Sequence, residues 1–141
     1  MKILFDTNII LDVLLERKPF SREASFLLSR VERSEISGYL CATTVTTIHY
    51  LISKALGSQA ALRHIQSLLA LFIIAPVNHQ VLEKAAMLNF RDFEDAVLHE
   101  AACHAGIESI VTRNTVDFKK STLPVFAPAD LVAALLVLKS N

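Results

Sequence analysis

Apolar residues in this chain fall into short unbroken blocks separated by stretches of helical spacing. Lys2-Ile3-Leu4-Phe5 reads as a buried strand that stops at the polar triplet Asp6-Thr7-Asn8. Residues 9–15 are apolar enough for a short helix, with Pro19 beyond its end. Ser21 suits the N-cap of a helix over 21–33, where Ala24, Leu27, Leu28 and Val31 recur at helical spacing. A second strand is predicted at 36–42, then a helix capped by Thr43 or Thr44 that runs to Leu56 and ends at Gly57. Another helix starts at Ser58 with Ala61, Leu62, Ile65, Leu68 and Leu69 as its apolar stripe. Residues 72–77 read as a third strand. Asn78 then caps a helix to about Asn89, and Asp92 caps the next, which ends before Gly106. Strands four and five fall at 109–112 and 124–127, and Pro128 suits the first turn of a final helix to about Lys139.

Strands alternating with helices, and reading as continuous apolar runs, predict an α/β fold whose mostly parallel sheet is covered on both faces. No repeat or linker interrupts the 141 residues, so one domain over 1–141 is expected. Disorder and low complexity are excluded by 52% hydrophobic residues with 3 Gly and 4 Pro. The longest uncharged apolar run, 68–77, is about half of what a bilayer requires, so no membrane span is expected. A carboxylate at position 6 interrupts any signal-peptide core, and Cys41 and Cys103 form no zinc spacing. A cytoplasmic protein with reduced thiols is the expectation. Fourteen basic residues balance 14 acidic ones, so any nucleic-acid binding must use a local patch.

In parallel sheets ligands bind beyond the carboxyl ends of the strands. Three polar clusters qualify: Asp6-Thr7-Asn8 after strand one, Asp92-Phe93-Glu94-Asp95 opening the helix before strand four, and Thr112 to Asp117 after strand four. If strands one and four are neighbours, the clusters converge. Oxygen ligands with no Cys or clear His pair favour Mg²⁺ or Mn²⁺, ions able to activate water against a phosphodiester. Each cluster also has an ordinary structural reading. Asp6 can bond its own turn, Asp92 can cap a helix with Glu94 and Asp95 set against the dipole, and Asn114 and Asp117 can form turns. Their conjunction favours chemistry. A second Asp two residues after the first, a Gly-rich phosphate loop and a G-x-S-x-G elbow are all missing, so the other sites of such sheets fit less well.

Phe5-Asp6-Thr7-Asn8-Ile9-Ile10-Leu11-Asp12, Asp92-Phe93-Glu94-Asp95-Ala96, and Ile110-Val111-Thr112-Arg113-Asn114 with Asp117-Phe118 together resemble the PIN domain family. The Asp-Phe-Glu-Asp form is similar to that of VapC-like toxins. The resemblance implies a three-layer α/β/α sandwich and Mg²⁺- or Mn²⁺-dependent cleavage of RNA. It also implies a homodimer and a small antitoxin as partner. Asp6 then takes the place of the family's first acid, Asp95 the third and Asp117 the last, with Asn114 in the Thr-x-Asn/Asp position and Asp92 as a further metal ligand.

One departure stands out. The family places a Glu in the helix after strand two, in a pattern like Thr-x-x-Glu-Leu, whereas this chain has no acid between Glu35 and Glu83. His49 falls near the expected place. Three alternatives follow: Asp92 or Glu94 replaces the carboxylate, metal binding is weaker, or the chain is a non-catalytic binding module. A housekeeping nuclease would share the same motifs. Arg17, Lys18 and Arg22 read either as a phosphate-holding patch or as a solvated face.

Overall fold

The computed structural model describes residues 1–140, Ser140 by its backbone alone. Five strands, β1 (Lys2–Phe5), β2 (Ser37–Cys41), β3 (Ile73–Ala75), β4 (Ser109–Val111) and β5 (Val125–Phe126), form one parallel sheet in the order β3-β2-β1-β4-β5. Side chains alternate between its faces, as strand geometry requires. Ile3, Phe5, Leu40 and Val111 point into one apolar layer, while Leu4, Tyr39, Cys41 and Ile110 point into the other. The first layer is covered by α1 (Thr7–Leu14), α2 (Ser21–Glu32), α3 (Ala42–Leu56), α4 (Ser58–Leu71) and α7 (Pro128–Ser140). The second is covered by α5 (His79–Met87) and α6 (Phe93–His104), with Phe118 from a 3₁₀ turn, Thr115–Phe118. This is the three-layer α/β/α sandwich expected. Among the described residues, no helix is long and apolar enough to cross a membrane.

Several ends differ from expectation for local reasons. Helix α1 begins two residues early because the Asp6 carboxylate accepts the Thr7 N–H and caps it. Ser21 is the first helical residue rather than the cap; Phe20 precedes it with helical backbone angles and no side-chain cap. Helix α3 likewise starts ahead of Thr43, and the hydroxyl of buried Thr44 instead accepts from Thr7 Oγ1 at 3.0 Å. Asn78 and Asp92 cap α5 and α6 as the sequence indicates. Gly38 is needed for space: a Cβ there would lie 2.7 Å from the Phe72 ring and 2.9 Å from Val31.

The order of strands positions the site. From β1 the chain steps outward to β2 and β3, then returns to lay β4 on the other side of β1. The crevice beyond the carboxyl ends of β1 and β4 is the switch point at which such sheets bind ligands.

Candidate functional site

Asp6 leaves the end of β1, where its N–H donates to the Val111 carbonyl of β4. Its carboxylate is buried, 7% exposed, and both oxygens are engaged. Oδ1 accepts the Thr7 N–H at 2.7 Å, and Oδ2 accepts the Thr112 hydroxyl at 2.7 Å and the Asn8 amide at 3.4 Å. Thr112 Oγ1 in turn accepts the Asn114 N–H at 3.0 Å, so the turn after β4 is tied to the first acid. Burial pushes the Asp6 carboxyl above the ordinary range; the Thr112 and Thr7 bonds oppose this, while Glu94 and Asp117 add repulsion.

Helix α6 brings the second cluster to the same place. Asp92 Oδ1 accepts the Glu94 N–H at 2.7 Å, so its capping role is real, and Asp92 also lines the crevice. Asp95, one turn on, is half-buried, and its carboxyl is pushed up to about 7. The causes are burial first, then repulsion from Asp6, Asp92, Asp117 and Glu94. Asp117 enters from the 3₁₀ turn and Asn114 from the loop before it. All five residues singled out from the sequence therefore border one cleft of about 220 Å³. Among the described residues, no lysine or arginine lines it.

Helix α3 corrects one expectation. It contributes Thr47, not His49, to the cleft, and the Thr47 hydroxyl donates to Glu94 Oε1 at 3.2 Å. Thr44-x-x-Thr47-Ile48 matches the spacing of the Thr-x-x-Glu-Leu pattern, with a hydroxyl where that pattern has an acid. Arg17, Lys18 and Arg22 also lie outside the cleft lining.

The ion pair behind the cleft was not anticipated. Asp12, fully buried on α1, accepts from Arg113 Nε at 2.6 Å and Nη2 at 3.2 Å. Arg113 also stacks over the Phe20 ring, 3.9 Å from its centre. A signal was present: a lone acid among Ile9, Ile10, Leu11, Val13 and Leu14 requires a buried partner. A further grouping, His99, Glu100 and Cys103, has donor atoms within 4.8 Å of one another. However, His99 Nε2 already accepts the Thr122 N–H at 3.0 Å, which occupies that lone pair and pins the loop before β5.

A family model described as PIN domain matches residues 2–116. Ribonuclease VapC1 of Aquifex aeolicus (strain VF5) is 25% identical over 118 residues, covering 80% of this chain and 81% of that protein. A solved toxin–antitoxin complex from Klebsiella pneumoniae contains a chain of 25% identity, with a TM-score of 0.68, covering 89% of this chain and 97% of that one. A structure of FitAB bound to an IR36 DNA fragment matches at 25% identity and a TM-score of 0.67, covering 89% of this chain and 94% of that one.

Proposed function

We propose, on the premise that the chain belongs to the PIN domain family, that it is a single-domain endoribonuclease dependent on Mg²⁺ or Mn²⁺. It hydrolyses RNA phosphodiesters and serves in the cytoplasm as the toxin of a toxin–antitoxin pair. The carrying observation is the convergence of Asp6, Asp92, Glu94, Asp95 and Asp117 on one cleft with no basic side chain among its lining residues. The similar ribonuclease and the similar toxin–antitoxin complex support the choice of substrate and a small antitoxin as partner.

The residues fit a hard divalent ion. Burial, with the repulsion of the neighbouring carboxylates added to it, holds Asp95 near 7; a cation relieves that crowding, and oxygen donors suit Mg²⁺ or Mn²⁺. Asp6, Asp92, Asp95 and Asp117 would hold it. Bound there, it supplies an activated water and neutralises charge on the phosphodiester. The chain's own groups do the rest. Thr112 and the Thr7 N–H orient the two Asp6 oxygens, and Asn114 offers a neutral amide at the rim to position a phosphate oxygen. Glu94, held against Thr47, brings a carboxylate to the part of α3 where the family pattern has its own acid.

Thr47→Glu is therefore expected to tighten Mn²⁺ binding by about 1 kcal/mol, roughly fivefold, the scale of one added charge-assisted contact. Calorimetric titration checks this, and unchanged or weaker affinity would mean that α3 does not face the ion. The function itself is tested by incubating the purified protein with a broad pool of structured and single-stranded RNAs. Cleavage with Mn²⁺ that stops on addition of EDTA is expected. An intact pool at high protein concentration contradicts the proposal.

A further inference from the structure

A second groove, of about 350 Å³, lies beside the acidic cleft and shares Asp117 with it. It runs between the connection from α5 to α6 and the 3₁₀ turn, and its charge is opposite. Arg91, Lys119 and Lys120 line it together with the half-buried ring of Phe90. That ring is held in place, edge-on to Phe118 at 6.2 Å and tilted against His99 at 5.2 Å. Lys120 Nζ donates to the Asn89 carbonyl at 2.9 Å and so ties the two walls together. Arg91 and Lys119 are exposed and have no ion-pair partner among the described residues.

Beyond the scissile phosphate, which the ion and Asn114 would take, an RNA strand entering the acidic cleft meets only carboxylates and neutral groups, so its neighbouring phosphates must be held from outside. The net charge of zero gives no general attraction, and the adjoining groove offers the local cations. Cations on the rim of a fixed aromatic ring hold single-stranded nucleic acid, the cations taking phosphates and the ring stacking a base. We infer that this groove seats the nucleotide next to the scissile phosphodiester of single-stranded RNA. Arg91 and Lys119 bind its phosphate, and Phe90 is the stacking surface. The inference rests on the ribonuclease reading.

The test is fluorescence anisotropy with a short phosphorothioate RNA of mixed sequence, which resists Mg²⁺-assisted hydrolysis, in Mg²⁺ at salt from about 50 to about 200 mM. The double variant Arg91→Ala/Lys119→Ala changes exposed side chains only and is expected to keep the parent's melting temperature. Its affinity should fall about tenfold. The slope of log affinity against log salt should shrink by about 0.7, the share of the one phosphate the two cations hold. Phe90→Leu should weaken binding about fivefold and leave the slope unchanged. If the parent binds and cleaves RNA while the double variant keeps both affinity and slope, the groove assignment is overturned and the nuclease reading stands. A parent that neither binds nor cleaves RNA overturns both.

Discussion

In EDTA, Asp95→Asn is expected to melt at the parent's temperature or above it, and in Mn²⁺ to melt below the parent. The substitution nearly keeps the shape and removes one charge from a crowded set, so the metal-free fold loses repulsion. The gain is about 1 kcal/mol or less, because the group is only half-buried and screened at moderate salt. It has a defined pH dependence. The Asp95 carboxyl titrates near 7 in the fold and near the ordinary 3.8 when unfolded. Between these values the unfolded chain has released a proton that the fold retains, so the metal-free parent loses stability as pH rises from about 4 to about 7. The advantage of Asp95→Asn should be absent near the lower limit and complete above the upper one. With free Mn²⁺ at ten times its dissociation constant, the parent gains about 1.4 kcal/mol, most of which the variant forfeits. A purely structural Asp95, set against the dipole of α6, predicts the reverse. The variant would then lose a few tenths of a kcal/mol in EDTA, and Mn²⁺ would affect neither protein. Thermal melts of both proteins across that pH range decide between the two.

Asp12→Ala should cost about 3 kcal/mol with or without metal, measured by denaturant unfolding. Its carboxylate is fully buried, and the variant strands the Arg113 guanidinium beside apolar α1. Stranding one member of a buried pair costs about 3–5 kcal/mol. Arg113 keeps 25% of its side chain in solvent, which places the expectation at the lower end. Adding Arg113→Met removes the stranded charge and should recover part of the loss. Since Arg113 follows Thr112, the partner of Asp6, Asp12→Ala should also weaken Mn²⁺ binding. Stability within about 0.5 kcal/mol of the parent would show that the pair does not hold this loop.

The strands were legible because central strands of a parallel sheet are buried on both faces and read as apolar runs, as Ile3-Leu4-Phe5 and Ile110-Val111 do. The convergence of Asp6, Asp92, Asp95, Asn114 and Asp117 depended on one non-local fact, the pairing of β1 with β4. Local spacing does not encode such a pairing, although the position of ligands beyond strand ends anticipates its consequence. Contacts across long separations stayed hidden for the same reason. Thr47 meets Glu94 and Asp12 meets Arg113 only once the layers pack. The exchange of His49 for Thr47 is a matter of helical phase. At 3.6 residues per turn, a slip of two positions carries a side chain about half-way round α3. Helix α3 starts at Ala42 behind an extended Cys41 with no side-chain cap, ahead of the Thr side chains expected to cap it.

The central claim is that this carboxylate cluster cuts RNA with a divalent ion, and its most direct test is cleavage of one RNA pool by the parent and by Asp95→Asn, each with Mn²⁺ and with EDTA. Loss of a mere supporting partner of a metal site already costs about 10- to 100-fold. The account therefore predicts chelator-sensitive cleavage by the parent and a fall of about 100-fold or more in the variant. Equal cleavage by both proteins, or cleavage that persists in EDTA, would contradict it.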